Sequence, residues 1–391
     1  MSRRLRLLLI AFTALVSFMT AELLLRVLFG FAWVSPHHPF SRFLAGLHGS
    51  PAEGSIYRTS RDPILGLEFV PGSRQRHIRI NKDGFRGPEV APTPAPGTVR
   101  IAVLGDSEAF GALLQEDETL SGCLKRGLDR EAGPARHEVL NFGFPGYNTR
   151  QELQVLMTRA IDTRPALVVL YVVLNDMIAE SQSELLTRSP ASHSYACLFL
   201  TYLCRRWIKS DYEKLAESDL AGFYKRLHAA GHLERVKGDI RTMSRFLSDR
   251  RIPLLVVISP DIIGYDDFAN YPYREIHRDL QRLGSEQGLA VEIVDPIDAL
   301  AGLGRSPRQL WVDERDSHKS ALATEAIARV VVPRIRKLLA PGGTRPITAA
   351  SPGTPPSAPG RPGSPTPART VPDRPGPSAL PVPGGASPAA R

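Results

Sequence analysis

The chain has 391 residues, of which 42% are hydrophobic and 23% are charged, and its formal net charge is +9. The charge lies mainly at the two ends, with +4 in residues 342–391 and +3 in the first 26, which leaves +2 for the middle. This distribution, together with the lack of basic and aromatic motifs in the middle, excludes nucleic acid as an expected partner. Three cysteines exclude a disulfide framework and a four-cysteine zinc site, and no His or Cys spacing predicts another metal site.

Residues 1–35 have the pattern of a membrane anchor or a signal segment. Residues 7–21 carry no charge, and three leucines after Glu22 extend the run to nearly the ~20 residues that span a bilayer. Because arginines precede the run, we expect a cytoplasmic N-terminus and a periplasmic or extracellular body. A cleaved signal peptide is the alternative; the small residues are poorly placed for cleavage, which favours an uncleaved anchor.

Residues 36–98 are rich in Pro, Gly and Arg, and we expect them to form an extension that packs on a catalytic domain at 99–340. Within that domain, apolar β-rich runs alternate with helix-like segments. Strands are predicted at 99–104, 138–142, 167–173, 253–258 and 290–294. Helices are predicted at 119–130, 149–161, 238–250, 273–284 and 320–339.

Two segments depart from this alternation. Residues 180–235 are helical in character with mixed charge, which predicts an inserted helical cap. Residues 341–391 form a Pro/Gly/Ala-rich tail, and from 342 onward it holds 14 of the 34 prolines and no aromatic residue. Such a composition cannot bury enough apolar surface to offset the entropy of ordering, so the tail is predicted to be disordered.

Alternating strands and helices predict an α/β fold in which a five-stranded parallel sheet is covered by helices on both faces, giving three layers. Ligands of such sheets bind beyond the carboxyl ends of the strands. The residues that come directly after each predicted strand are therefore the candidates for chemistry.

The first strand is followed by Gly105, Asp106 and Ser107. A serine at a strand-to-helix turn presents its hydroxyl at the edge of the sheet, near a helix N-terminus that favours negative charge. An ordinary N-cap is the alternative interpretation of this triplet. The third strand is followed by Asn175 and Asp176, which offer either a side-chain amide donor at the same edge or another helix cap.

The second strand leads into a turn that contains Gly146, where an unhindered N–H can face the site, although a plain strand–helix turn explains the glycine equally well. Far downstream, His318 precedes the last predicted helix, with Asp313 and Asp316 close by. A histidine held by a carboxylate is the general base that a serine nucleophile needs. A solvated loop histidine is the alternative.

Considered together, these features are more specific than any of them alone. The residues Ser107, Gly146, Asn175 and His318 resemble, in chain order and position, the four name-giving residues of the SGNH (GDSL-type) serine hydrolase superfamily. The resemblance covers about 99–340, and the segment 81–87 looks like that of membrane-anchored bacterial members. It implies a flavodoxin-like strand order and no cofactor.

The resemblance also implies a role for each residue. Ser107 would be the nucleophile and His318 its general base, with the N–H groups of Ser107 and Gly146 and the Asn175 side chain forming an oxyanion hole. Gly105, Asp106 and Asp176 belong to the motifs that surround these groups.

The sequence departs from the superfamily pattern around the base. The common Asp-x-x-His spacing would place the acid at a position occupied by arginine, so the orienting carboxylate is either Asp316 or Asp313, and we favour Asp316. Glu108 stands where the name-giving GDSL motif has leucine, and Lys319 with Ser320 replaces the frequent Pro-Asn after the histidine. Both of the latter departures look minor in the sequence.

Three functions fit these features. The first is an exported serine esterase or O-acyltransferase acting on acyl esters, expected to be acetyl esters, of envelope carbohydrate. The second is a lipolytic esterase acting on membrane lipids. The third is a non-catalytic envelope-assembly protein, against which the presence of all four superfamily residues argues.

Overall fold

The computed structural model of the chain describes residues 2–30, 56–131, 136–178, 194, 196, 197, 199, 200, 219–314 and 316–340. The predicted tail lies outside these residues. Most of the predicted cap at 180–235 also lies outside them.

The N-terminal segment is a helix, α1 (Arg3–Leu25), continued by one wider turn. The stretch Leu9–Leu28 has a mean hydropathy of 1.7 and is 6% buried. By length and composition it can cross a membrane, although a signal sequence has the same length and composition. The Glu22 carboxylate pairs with Arg26 one turn later at 2.5 Å. It also accepts hydrogen bonds of 2.8 Å from the Ser194 hydroxyl and the Ala196 N–H.

The extension before the main sheet contains two small antiparallel hairpins. Their strands are β1 (Tyr57–Thr59), β2 (Leu67–Phe69), β3 (Arg74–Gln75) and β4 (Ile78–Arg79). Behind them, the fully buried guanidinium of Arg86 donates to the carbonyls of Phe110, Gly111 and Leu114 at 2.6–2.8 Å and pairs with Glu116 at 3.2 Å. The extension is therefore bonded to the loop that comes after the first strand of the main sheet.

The centre of the molecule is a five-stranded parallel sheet. Its strands are β5 (Thr98–Gly105), β6 (Arg136–Asn141), β7 (Leu167–Val172), β8 (Leu254–Ile258) and β9 (Val291–Val294). The order β6-β5-β7-β8-β9 is the flavodoxin-like order, so the predicted fold class is confirmed. Every residue of β7 and β8 is buried, which requires helices on both faces of the sheet.

Eight α-helices whose bounds both lie within the described residues come after α1. They are α2 (Ser107–Phe110), α3 (Leu120–Glu131), α4 (Thr149–Val155), α5 (Leu220–Ala229), α6 (Leu233–Ser248), α7 (Arg274–Gln281), α8 (Ile297–Ala301) and α9 (Ala321–Leu339). In the sheet's covering, α3 packs against α9 and α4 against α6. Within the predicted cap range, α5 buries Leu220 and Tyr224 in the core.

The chain before α9 differs from the prediction. Instead of a polar loop that ends at a helix start, it forms an antiparallel hairpin of β10 (Trp311–Asp313) and β11 (Asp316–Lys319). Strands this short and this charged have no apolar alternation by which sequence patterns reveal them. The hairpin lies outside the five-stranded sheet and carries His318.

Candidate active site

Ser107 is the first residue of α2, directly beyond the carboxyl end of β5. The turn is tight: a Cβ on Gly105 would lie 2.6 Å from the Ala109 Cβ and 3.1 Å from the Tyr171 carbonyl oxygen, so only glycine fits there. Asp106, rather than Ser107, is the N-cap of α2, because its carboxylate accepts the Glu108 N–H at 2.9 Å. The Ser107 hydroxyl is therefore not used as a cap.

His318 and Asp316 lie two residues apart in β11, so their side chains project from the same face of the strand. The His318 Nε2 lies 2.8 Å from the Ser107 Oγ, although 211 positions of chain separate the two residues. On the other side of the ring, Nδ1 lies 2.5 Å from the Asp316 Oδ1. With the ring proton on Nδ1 facing the carboxylate, Nε2 is left free to accept the serine proton.

Asp313, the alternative acid, is the register partner of Asp316 across the hairpin, and its side chain is exposed. Asp316 also accepts the backbone N–H of His318 at 3.0 Å, which fixes the carboxylate beside the ring. The structure thus brings Asp316, and not Asp313, into hydrogen-bond contact with the His318 ring.

The charges around the imidazole favour its protonated form. Burial lowers the pKa of His318, but the carboxylates of Glu108, Asp316 and Asp106 outweigh it and hold the pKa above its ordinary value. Burial raises the pKa of Asp316, but the hydrogen bonds from His318 outweigh that and keep the pKa of the carboxyl below its usual range. The pair therefore consists of a stable carboxylate and a strengthened base.

Asn175 lies after β7 on a tight helical turn, Leu174–Met177, at the same edge of the sheet. Its Nδ2 donates to the Asp106 Oδ2 at 2.8 Å, which links the ends of β5 and β7. An amide nitrogen carries two hydrogens, so one remains available after this bond. Burial raises the pKa of Asp106, while the bond from Asn175 opposes the rise. Asp176 is buried beneath this turn and accepts the Val173 N–H at 3.0 Å.

Gly146 lies in the loop that runs from β6 along the end of β5. Hydrogen bonds from the Phe142 N–H to Val103 and from the Phe144 N–H to Gly105 hold this loop against β5, at 2.8 and 3.0 Å. Gly146 itself has a φ of 80°, a left-handed conformation that favours glycine, and it is exposed. Asn148 then caps α4 by accepting the Gln151 N–H at 3.3 Å.

A cleft opens beside the Ser107–His318 pair. Its lining residues are Ser107, Glu108, Gly111, Ala112, Leu113, Leu114, Val312, Asp316, His318 and Lys319. Four of the lining residues are apolar and form what we call the apolar wall: Ala112, Leu113, Leu114 and Val312. The sequence did not indicate this wall, since its members come from a loop and from an unpredicted hairpin.

Glu108 and Lys319, which looked like minor departures in the sequence, are bonded to each other. The Lys319 Nζ lies 3.1 Å from the Glu108 Oε1. In the sequence, only their positions indicated that they belong to the site: Glu108 comes one residue after the candidate nucleophile, and Lys319 comes one residue after the candidate base.

No protein-family model matches the chain, and no curated protein matches its sequence. Among solved structures, it is similar to a catalytic mutant of the acetylxylan esterase Axe2 from Geobacillus stearothermophilus, with 13% identity and a TM-score of 0.40 over 61% of this chain and 94% of that one. A lipase/acylhydrolase from Enterococcus faecalis aligns with 16% identity and a TM-score of 0.37 over 61% and 95%. A GDSL-like lipase from Bacteroides thetaiotaomicron aligns with 11% identity and a TM-score of 0.35 over 63% and 92%.

One of these structures is named as an esterase and two as lipases, of which one is described as GDSL-like. At such identities and TM-scores an alignment assigns no activity to this chain. Function is therefore inferred from the side-chain geometry beyond the ends of β5 and β7 and on the β10–β11 hairpin.

Proposed function

We propose that the protein is an exported, membrane-anchored serine esterase or O-acyltransferase that works through an acyl-enzyme on Ser107. The observation that carries this proposal is the hydrogen-bonded chain from Asp316 through His318 to Ser107, with heavy-atom distances of 2.5 and 2.8 Å. A serine in contact with a base, itself oriented by a carboxylate, is the arrangement that activates a hydroxyl for attack on an acyl carbon.

In the first half-reaction, the Ser107 Oγ forms a bond to the carbonyl carbon of an ester while its proton passes to the His318 Nε2. The carbonyl oxygen becomes an oxyanion. When the tetrahedral intermediate collapses, the bond to the alcohol oxygen breaks, and that oxygen takes the proton from His318. Asp316 remains ionised throughout and stabilises the imidazolium.

In the second half-reaction, His318 takes a proton from water or from an acceptor hydroxyl, whose oxygen attacks the acyl-enzyme carbon. Collapse breaks the bond to the Ser107 Oγ, which recovers its proton from His318. Water as acceptor gives a carboxylic acid and makes the protein an esterase. A sugar hydroxyl as acceptor gives a new ester and makes it an acyltransferase.

For the oxyanion, we assign the N–H groups of Ser107 and Gly146 and the second amide hydrogen of Asn175 as donors. The bond from Asn175 to Asp106 supports this assignment because it orients the amide before substrate arrives. Each such donor is worth about 10²–10³ in kcat.

For the substrate, we propose acyl esters of envelope carbohydrate, with acetyl as the acyl group, since the N-terminal helix α1 would place the domain outside the cytoplasm. One observation favours the lipolytic alternative: Leu113, on the apolar wall of the cleft, is 44% exposed and could contact a longer acyl chain.

The test uses the full chain in detergent and a series of aryl esters from acetate to long acyl chains, run beside acetylated polysaccharides. Wild type should cleave them and be labelled by a fluorophosphonate. Ser107→Ala should lose labelling and at least about 10³-fold of turnover. A preference for acetate supports the carbohydrate proposal, and a preference for long chains supports the lipolytic one.

Asp316→Asn and Asp313→Asn form a matched pair for the orienting acid. We expect Asp316→Asn to lose at least about 10²-fold in kcat because the ring loses its carboxylate partner, while Asp313→Asn stays near wild type.

Wild-type turnover by a folded Ser107→Ala protein would show that the nucleophile assignment is wrong.

A further inference from the structure

The two residues next to the Ser107–His318 pair form a buried ion pair. Glu108 comes after Ser107 in α2, and Lys319 comes after His318 in β11. The Lys319 Nζ lies 3.1 Å from the Glu108 Oε1, and the side chains are 2% and 13% exposed. The same two segments of chain are therefore joined three times. The hydrogen bond between His318 and Ser107 and this ion pair make two of the connections, and the Lys319 backbone N–H makes the third by donating to the Glu108 Oε2 at 3.4 Å.

Strand alternation explains why Lys319 points inward. Because His318 faces the cleft, the next side chain in β11 leaves the opposite face of the strand and enters the protein. There its Nζ donates to the Ser259 Oγ at 2.9 Å as well as to Glu108. Ser259 lies directly after β8, so one lysine connects the hairpin to the ends of two strands of the sheet.

The hairpin needs such connections because no ladder of backbone hydrogen bonds joins it to the five-stranded sheet in the described part of the chain. Besides Lys319, it is held by the Trp311 Nε1, which donates to the Ile262 carbonyl at 3.0 Å. The Lys319–Glu108 pair reaches the helix that carries Ser107, as does the hydrogen bond from His318 to Ser107.

We propose that Glu108 and Lys319 are positioning residues, whose ion pair holds the His318 hairpin against α2 and balances the charge around the imidazole. This inference rests on the proposed serine mechanism and assigns a purpose to two residues that depart from the superfamily pattern. Neither residue is required to touch the reacting atoms.

The charges on all sides of the pair agree with this purpose. His318 is faced by Asp316 on its own strand, by Glu108 on α2 and by Asp106 before α2. Burial lowers the pKa of His318, and these carboxylates raise it. Lys319 is faced by Glu108, by Tyr171 on β7 and by Asp261 beyond β8. Burial lowers the pKa of Lys319, but these neighbours outweigh it and raise the pKa above its usual value, so the lysine stays charged.

Removing Glu108 and removing Lys319 should therefore move the pKa of the imidazole in opposite directions. Without the Glu108 carboxylate, the largest charge that favours protonation of the imidazole is lost. Without the Lys319 ammonium, a carboxylate remains uncompensated and favours protonation. A merely structural role for the pair would not produce shifts of opposite sign.

The test is an NMR titration of the His318 ring in the full-length protein, with the resonance assigned by its absence in His318→Asn. Relative to wild type, the pKa of His318 should fall by roughly one pH unit in Glu108→Gln and rise by a similar amount in Lys319→Met. The double variant should lie between the two single variants.

Should Lys319→Met fail to fold, Glu108→Asp supplies the rescue: it should keep the pKa near the wild-type value while Glu108→Gln lowers it. An unchanged His318 pKa in Glu108→Gln, or shifts of the same sign in both single variants, would overturn the proposal. Because the titration needs no turnover, it remains decisive if the proposed esterase activity fails.

Discussion

The carboxyl group of Glu152 is costly for this fold to bury. The residue lies on α4 and is 1% exposed, and within the described part of the chain neither of its carboxylate oxygens has a hydrogen-bond partner. Burial raises its pKa well above the ordinary value, and the nearby Asp176, Asp106 and Asp239 raise it further. Burial and these neighbouring charges therefore favour the protonated form of the carboxyl more strongly in the folded protein than in the unfolded chain.

This difference makes stability depend on pH in a defined direction. Where the folded state binds the proton and the unfolded state has lost it, the free energy of unfolding falls as pH rises above the ordinary pKa of glutamate. Glu152→Gln removes the titration and supplies an amide that can donate to neighbouring acids. We expect its Tm to exceed that of wild type by a few degrees at pH 7–8, since about 1 kcal/mol corresponds to roughly 2–4 °C.

The measurement is thermal unfolding of both proteins between pH 4.5 and 8. The difference in Tm should shrink toward pH 4.5, where the unfolded chain also holds the proton. Glu275→Gln, at an exposed position on α7, is the control and should show no such trend. A Glu152→Gln protein that is less stable than wild type at pH 8 would contradict a protonated carboxyl.

At the scale of elements, the site depends on side-chain contacts between segments of chain that do not pair in one sheet. The end of α2 and the loop that follows it line the cleft. Arg86 of the N-terminal extension donates to three backbone carbonyls of this segment. The guanidinium is fully buried and satisfies its donors there, with Glu116 as counter-ion. The extension thus shapes the cleft although it contributes no reacting group.

Arg86→Lys should be strongly destabilising for this reason. A lysine has a single nitrogen and cannot reproduce the fork that reaches three carbonyls and a carboxylate, so carbonyls are left without donors. We expect a loss of about 2–4 kcal/mol in the free energy of unfolding, measured by urea titration, and a higher KM for aryl esters. Arg79→Lys is the matched control: Arg79 is 42% exposed, pairs with Glu89 at 3.7 Å and should change stability by less than about 1 kcal/mol. Equal effects of the two variants would show that the buried contacts of Arg86 contribute little.

At the scale of the whole molecule, the positive charge and the unusual composition are concentrated at the two ends, outside the α/β domain. The helix α9 packs on α3 and closes the domain, ending at Leu339. The core residues of the described chain all lie between positions 56 and 335. Residues 342–391 are Pro-rich and have no aromatic side chain, so their composition predicts no contribution to the core.

Deleting residues 342–391 should accordingly leave the thermal midpoint within about 1–2 °C of the full chain, because the composition of this segment predicts no core contact. Turnover of a short aryl ester should also be retained. Differential scanning calorimetry of the two proteins in the same detergent measures the first, and parallel kinetics the second. A drop of many degrees would mean that the tail packs on the domain.

Much of the architecture could be predicted from local patterns. The apolar run of β7 and the helix of α9 reflect residue composition and short sequence periods, which depend only on near neighbours. The predicted bounds were less accurate where contacts with distant residues decide them. The helix predicted at 149–161 leaves the α-helical geometry after Val155, and α6 begins five residues before its predicted start. The hairpin of β10 and β11 was missed because its strands are too short to show a period.

The amino-acid sequence alone determined the succession of strands and helices along the chain, the apolar N-terminal segment and the set of polar residues at the strand ends, because each depends on residue type and short spacing. Only the tertiary structure decided that His318 meets Ser107 across 211 positions and that Asp316 is the carboxylate on its ring. It also decided that Glu108 and Lys319 are partners. Such pairings depend on how distant segments meet after the sheet has formed, and no local periodicity records that geometry.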